Sequence, residues 1–506
     1  MPILSKPLII VAALAYLAVV FAIGIWAARR TRNARDFFIA GQRVGLVVTA
    51  LATMSASFSA FIFLGGPGLT YRIGLSSIFI CCSVSFTSGL LCWVVAKRLR
   101  LLAEIREVYT VPDAFLCRFG CRRTSGLAAL AVVAGTVAYL GAQLLALGRL
   151  IEAIFGTRDP LGDWSLPVAM AAGLTVVLLY SIAGGMIAGV YTDLFQGTLM
   201  IVAAVAVFTQ ALRSGGGWSA ITASIASSEA FGESFLDPLG GTPFFTAIGF
   251  FFVFSIGCLG QPHMLHKFYM LDDIRKLKWM PLLIALSQTL CVLIWLGIGL
   301  AVPALVAQGK MPPLQHPDDA APAFLLGFAP EILGGLVFAA ILAAIMSTVD
   351  SFLNIGAAAL VRDLPRAVGL KLGDELLWGR TAMLAIALAA ILVASFFGDL
   401  IALLGTLAFA TFGAALAPAL AIGLNWKRVT ARAASASIIT GLAVNLGLEF
   451  LNRQTLFPAL PRPPLASGVL PGAVALAASF TVLFLVSWLT RTPNPVDEDV
   501  AIVMEA

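Results

Sequence analysis

Residues 55–68 read Ser55-Ala56-Ser57-Phe58-Ser59-Ala60-Phe61-Ile62-Phe63-Leu64-Gly65-Gly66-Pro67-Gly68, within an apolar run over 45–71. Serine competes for helical hydrogen bonds, and glycine and proline loosen them. In a bilayer a freed carbonyl needs a partner, so unwound backbone survives only where it faces protein, water or a bound ion. A second run, 244–268, holds Ser255-Ile256-Gly257-Cys258-Leu259-Gly260-Gln261-Pro262-His263. Either stretch alone reads equally well as an ordinary kink, because Gly and Pro are common in membrane helices. Taken together they lie five spans apart, an odd number, so their helices run in opposite directions. That is the pattern of an inverted repeat with a broken helix opening each half and the binding site between them.

The surrounding chain supports a membrane reading. Its 506 residues are 60% hydrophobic and only 11% charged, and the mean hydropathy is +0.97. Soluble domains carry about 25% charged residues. Thirteen apolar stretches are read, at 7–28, 45–71, 75–96, 125–151, 165–184, 191–212, 244–268, 279–307, 331–361, 378–397, 399–424, 431–450 and 468–490. With loops numbered alternately, 24 of the 32 Lys and Arg fall on one side. The positive-inside rule then puts the N-terminus outside and the C-terminus in the cytoplasm of a cell (plasma or inner) membrane. The formal charge of +6 needs no nucleic acid to explain it.

The expected organisation is all-α and polytopic, a single transmembrane domain over 1–490. A peripheral first helix (7–28) precedes repeat one (45–212) and inverted repeat two (244–424), and two peripheral helices (431–490) and a short polar tail (491–506) follow. The first stretch lacks a basic start and a small-residue cleavage site, and reads as an anchor rather than a signal peptide. Cys81, Cys82, Cys92, Cys258 and Cys291 read as small core residues, and Cys117 and Cys121 lie in a basic loop without histidine.

The ninth stretch is unusually polar, with Ser347, Thr348, Asp350, Ser351 and Asn354. Ala344, Ser347, Thr348 and Ser351 follow the i, i+3, i+4, i+7 spacing of one helix face. Na+ is a hard cation satisfied by hydroxyl and carbonyl oxygens. The two hydroxyls, the Ala344 carbonyl and loosened carbonyls of the second span make a plausible cage. The competing reading is that Ser and Thr bond their own i−4 carbonyls or glue helices together. Asp350, and Asp193 at the start of the sixth span, are intramembrane carboxylates that mark an ion pathway or bond to backbone.

These residues resemble the sodium:solute symporter family. The resemblance rests on Asp36-Phe37-Phe38-Ile39-Ala40-Gly41-Gln42-Arg43, on Ser59 to Gly68 with Tyr71 and Gly74, and on Gly184-Gly185-Met186-Ile187-Ala188 with Thr192, Asp193 and Gln196. It rests further on Gly260-Gln261-Pro262-His263, Ala344 to Ser351, and Trp426-Lys427-Arg428 with Thr430. It implies about thirteen transmembrane helices in a five-plus-five inverted repeat, the leucine-transporter-like fold, and coupling to Na+. It also implies a sodium site of the Ser55, Phe58 and Ala344 carbonyls with the Ser347 and Thr348 hydroxyls, and a role for Asp193 on the inward ion path. Ser57, Phe61 and Lys267 depart from the pattern of proline and sugar carriers.

The expected function is Na+-coupled symport of a small amino acid or carboxylate by alternating access. The solute pocket is placed among Ser57, Phe61, Gly65, Tyr139, Gln143, Ser255, Gly257 and Gln261. Catalysis is not expected. The three histidines have no metal spacing, no phosphate-binding Gly-Lys loop occurs, and no organic cofactor or obligatory protein partner is indicated. Two alternatives stay open, a transporter-like sensor acting through a separate partner and an H+-coupled symporter of the same fold.

Overall fold

A computed structural model describes residues 7–29, 40–155, 161–240, 242–370, 372–373, 375–397, 401–451, 468–490 and 496–506. Asp36 to Ile39 of the first motif lie outside the described residues, as do Arg30, Arg32, Arg35, Lys371 and Arg491 of the basic set. The described chain is helical apart from turns and one bridge between Val44 and Leu271. A chain this apolar has little else available, since a helix satisfies its backbone internally.

The main helices are α1 (Pro7–Ala28), α2 (Leu46–Ser57), α3 (Gly66–Ile73), α4 (Lys97–Ile105), α5 (Val111–Phe119), α6 (Arg122–Phe155), α7 (Ser165–Gly215) and α8 (Phe244–Ile256). They continue with α9 (Pro262–Phe268), α10 (Met280–Ala307), α11 (Glu331–Ala358), α12 (Glu375–Phe397), α13 (Ile401–Ala421), α14 (Ala431–Leu451), α15 (Pro471–Leu489) and α16 (Glu498–Glu505). Among the described residues nine helices are long and apolar enough to cross a membrane, or eleven if each of two bent pairs is one span. Leu14, Leu388, Leu392 and Leu485 are exposed on α1, α12 and α15, a surface suited to lipid rather than water.

The bent pairs are the two stretches singled out in the sequence. Leu46–Ser57 meets Phe61–Ile80 at 55°, and Phe244–Gly260 meets Pro262–Phe268 at 46°. Phe58 leaves the helix with φ −98° and ψ 99°, and Gln261 does so with φ −82° and ψ 102°. Ser59 caps the resumed helix, its Oγ accepting from the Phe61 N–H at 3.1 Å. Pro262 opens α9 at the first-turn position where its missing N–H costs nothing.

The loops separate into two groups. At one end Val44 pairs with Met270 (3.1 Å), Arg100 reaches the Leu271 carbonyl (2.8 Å), and Arg118 reaches that of Gly423 (2.7 Å). At the other, Ser76 meets Thr242 (2.6 Å), the Leu314 N–H reaches Tyr71 (3.1 Å), and Gln308 reaches Gly215 (3.0 Å). The first set is the basic one.

Two features differ from the sequence expectation. A loop was expected between 184 and 191, whereas helix is assigned through the 51 residues of Ser165–Gly215, with Ile187–Gly215 forming a span of its own. A straight helix of that length would measure about 76 Å, more than twice a bilayer core. Its start packs on Gly148 at the far end of α6, Ile187 and Val190 pack with Val44 and Met270 at the basic end, and Gly215 lies opposite again. The chain therefore reverses direction between these points, as two spans joined by a tight helical turn rather than one straight helix. The polar tail is the second difference. Val500, Val503 and Met504 of α16 are buried, because helical spacing puts these apolar side chains on one face.

Candidate functional site

The broken second span and α11 meet at oxygen atoms. The Ser347 hydroxyl lies 3.1 Å from the Ser55 carbonyl oxygen and 3.2 Å from that of Ala344. The Thr348 hydroxyl lies 2.9 Å from the Ala344 carbonyl and 3.5 Å from that of Ala56. Both side chains are buried. The spacing of α11 puts the hydroxyls on one face, and the end of α2 at Ser57 supplies carbonyls from its last turn, where no further helical N–H follows. The donors are all oxygen and carry no formal charge, which suits a monovalent hard cation better than a soft metal. Phe58 occupies the extended residue just beyond; Ala56 is a carbonyl the sequence reading did not name.

Asp193 and Lys267 form a buried ion pair at 2.7 Å, each side chain 2% exposed. The sequence marked each residue separately and gave no sign of the pairing. Asp350 is buried, and Asn354 Nδ2 donates to its carbonyl (2.9 Å) and its Oδ1 (3.2 Å).

The eight pocket residues fall into two kinds. Gln143 Oε1 accepts from the Ala60 N–H at 3.2 Å, and Tyr139 Oη lies 3.4 Å from Ser59 Oγ, so α6 holds the first break. Gln261 Nε2 donates to the carbonyls of Gly257 (3.1 Å) and Phe409 (2.9 Å), tying the second break to α13. Phe61 sits among Phe254 (centroids 5.2 Å) and Trp295 (5.8 Å). Gln143 Nε2 and Gln261 Oε1 are buried without a partner among the described residues.

The others are packing or local contacts. A Cβ on Gly65 would come within 3.0 Å of the Ala402 backbone nitrogen, and one on Gly257 within 3.4 Å of the Phe409 ring. Ser57 Oγ donates to the Met54 carbonyl (2.8 Å) and accepts from Gln288 (3.1 Å). Ser255 Oγ reaches the Phe252 carbonyl at 3.5 Å. Sequence reasoning missed Ser59, although a serine just before a resumed helix is the N-cap signal. It also missed His263, whose ring packs 4.3 Å from that of Phe352.

Known proteins share this architecture. The profile described as "SSF: Sodium:solute symporter family" matches residues 37–441. The osmoregulated proline transporter OpuE of Bacillus subtilis (strain 168) is 29% identical over 453 residues, 85% of this chain and 86% of that one. A sodium/proline symporter of Staphylococcus aureus (strain JH9) is 27% identical over 508 residues, covering 95% and 92%. A solved Na+-coupled sialic acid symporter, in a substrate-bound outward-open state, superposes with TM-score 0.75 at 16% identity over 96% of this chain and 99% of its own. MhsT in complex with L-phenylalanine gives 0.55 at 13% identity over 88% and 98%. These structures share the leucine-transporter-type fold. The relatives are transporters rather than enzymes, and the family's coupling ion is Na+. With most of its length matched and its helices arranged as in these carriers, the chain belongs to the sodium:solute symporter family of multi-pass membrane transporters.

Proposed function

We propose that this chain moves a small amino acid or carboxylate together with Na+ by alternating access. It does so through thirteen spans whose second to sixth and seventh to eleventh form a five-plus-five inverted repeat. The N-terminus lies outside and the C-terminus in the cytoplasm of the plasma or inner membrane. One observation carries the reading: hydroxyls of Ser347 and Thr348 reach carbonyl oxygens at the end of the interrupted second span. Na+ held by Ser55, Phe58, Ala344, Ser347 and Thr348 would bind only while α11 and α2 are this close. Ion binding thereby favours one arrangement of the two halves, which is the coupling a symporter needs.

The relatives' names support amino-acid transport, and they favour Na+ coupling over the sensor and H+-coupled alternatives. The solute would lie near the two breaks, with Gln143, Gln261 and the Phe61 ring as its first contacts. Ser57, Gly65, Tyr139, Ser255 and Gly257 shape the surroundings. Asp193 and Asp350 would serve the ion's inward path, Asp193 once Lys267 releases it. No organic cofactor, nucleic acid or obligatory protein partner enters.

The test is uptake by purified protein in proteoliposomes. Labelled proline and other small amino acids or carboxylates are offered with Na+ outside, or with choline in its place. Uptake should require Na+. Ser347→Ala and Thr348→Ala should each lower uptake at limiting Na+ by roughly tenfold, the effect of about 1.4 kcal/mol of lost ion binding, at equal protein level. Undiminished uptake in both variants would overturn the cage.

A further inference from the structure

Asp363 stands apart from the site described above. It closes the turn Ala359–Asp363 that extends α11 beyond Ala358 at the basic end of the molecule. The side chain is buried, and neither carboxylate oxygen has a hydrogen-bond partner among the described residues. A second carboxylate, Asp113 on α5, lies beside it. The nearby cations are directed at that neighbour. Arg362 pairs with Asp113 Oδ2 at 2.9 Å, and Arg366 lies 3.6 Å from Asp113 Oδ1. The Tyr109 N–H also donates to Asp113 Oδ2, at 3.2 Å.

The remaining groups that face Asp363 do not neutralise it. Thr110, the cap of α5, accepts from the Asp113 N–H (3.1 Å) and has one hydroxyl proton left to turn towards Asp363, which offsets its burial only in part. Cys117 lies on α5 as well, and Tyr269, just after α9, is within electrostatic reach of Asp363, Asp113 and Cys117. The Tyr269 hydroxyl donates to the Thr110 carbonyl (3.3 Å). His266 on α9 packs its ring against Tyr269 (6.0 Å) and leaves Nδ1 without a partner. Both arginines thus contact one aspartate directly, and act on the second only through space and without a hydrogen bond. Two carboxylates sharing a desolvated site do not both ionise, and the one without a cation in contact takes the proton.

We propose that Asp363 is a proton-binding site at the contact between α11 and α5, and that the proton it binds lets the end of α11 pack against α5. Thr348, on the cation cage, lies fifteen residues earlier on the same run, about 22 Å along a helix. The proton is held rather than carried across. Its loss at alkaline pH would leave a bare anion between the two helices and loosen the inner end of the helix that bears the cage.

Infrared difference spectroscopy on the reconstituted full chain tests this. The wild type should show a protonated carboxylic C=O band at neutral pH that Asp363→Asn removes. Asp113→Asn releases Arg362 and Arg366 to Asp363, so it should also abolish the band at neutral pH. Linkage fixes the sign of a second readout. The folded state binds one more proton than the unfolded, so wild-type thermal stability should fall as pH rises through neutrality, and Asp363→Asn should remove that one-proton slope. If Asp363→Asn does not assemble, wild type labelled with 13C-aspartate decides together with Asp113→Asn. Absence of any protonated aspartate, or a band unchanged by either variant, overturns the proposal. So does a band erased by Na+ alone, which would make Asp363 a cation ligand. None of these readouts requires transport, so they stand or fall separately from the proposed symport.

Discussion

At the residue scale the most exacting contact is Lys267–Asp193. The two charges sit 2.7 Å apart with 2% of either side chain exposed. Removing one partner leaves an unpaired buried charge, which costs about 3–5 kcal/mol, whereas removing both together costs far less. Lys267→Met should therefore lower the thermal stability of the detergent-purified protein sharply, and Lys267→Met with Asp193→Asn should recover much of the loss. A Lys267→Met protein as stable as the wild type would show that water or another cation already compensates Asp193. This pairing also marks where sequence reading stops. Ser347 and Thr348 were legible because hydroxyl chemistry and helical spacing are local. The Ala56 carbonyl opposite Thr348 and the lysine opposite Asp193 were not, because no periodicity reports a contact across 292 or 74 residues. Phe58 was carried over with the family pattern, while the hydroxyls' own hydrogen bonds go to Ser55, Ala56 and Ala344.

At the element scale the question is what holds two broken spans in place. The first is pinned by Ser59, which caps it, and by Gln143, which accepts from the Ala60 N–H. Losing a cap costs about 1 kcal/mol, and leaving a buried N–H without its acceptor costs about 1–3 kcal/mol. Gln143→Leu should thus destabilise more than Ser59→Ala, as read from thermal unfolding of the two variants; the reverse order would mean that water replaces the glutamine. The breaks themselves were readable from Ser, Gly and Pro, because those residues weaken a helix wherever it stands. The docking of α16 was not, since its five apolar residues are too few to mark a span and nothing local names the surface they pack on. Arg106 reaches Asp497 and Asp499 at 3.3 and 3.4 Å with 45% of its side chain exposed. Such surface pairs contribute at most about 1 kcal/mol, while burial of Val500 and Val503 contributes about 1.5–3 kcal/mol each. Val500→Asp should release α16 to proteolysis and hydrogen exchange, and Arg106→Ala should leave it docked. Equal release in both would give the ion pairs the larger part.

At the scale of the whole molecule the argument concerns sidedness. The loops rich in Lys and Arg meet at one end, and the orientation proposed above rests on the positive-inside rule, under which that end faces the cytoplasm. Alternation was expected from the sequence because charge density in loops is a property of the chain as a whole. The fold-back within α7 was half legible, since its two apolar runs were read but their connection was expected to be a loop. Single cysteines test both points, in a chain whose half-buried Cys117 and Cys121 have been replaced by serine. Glu229 and Lys310 are exposed at one end, Arg275 and Arg428 at the other. A membrane-impermeant thiol reagent added outside intact cells should label Glu229→Cys and Lys310→Cys but not Arg275→Cys or Arg428→Cys. The opposite pattern would invert the orientation, and a mixed one would break the alternation. Trp164 and Trp218 flank α7 and are both exposed. A straight α7 would carry them to opposite sides of the bilayer, whereas a helix that reverses keeps them together. Labelling of both Trp164→Cys and Trp218→Cys from outside supports the reversal, and labelling of only one would leave α7 unable to return and the second half of the bundle upside down.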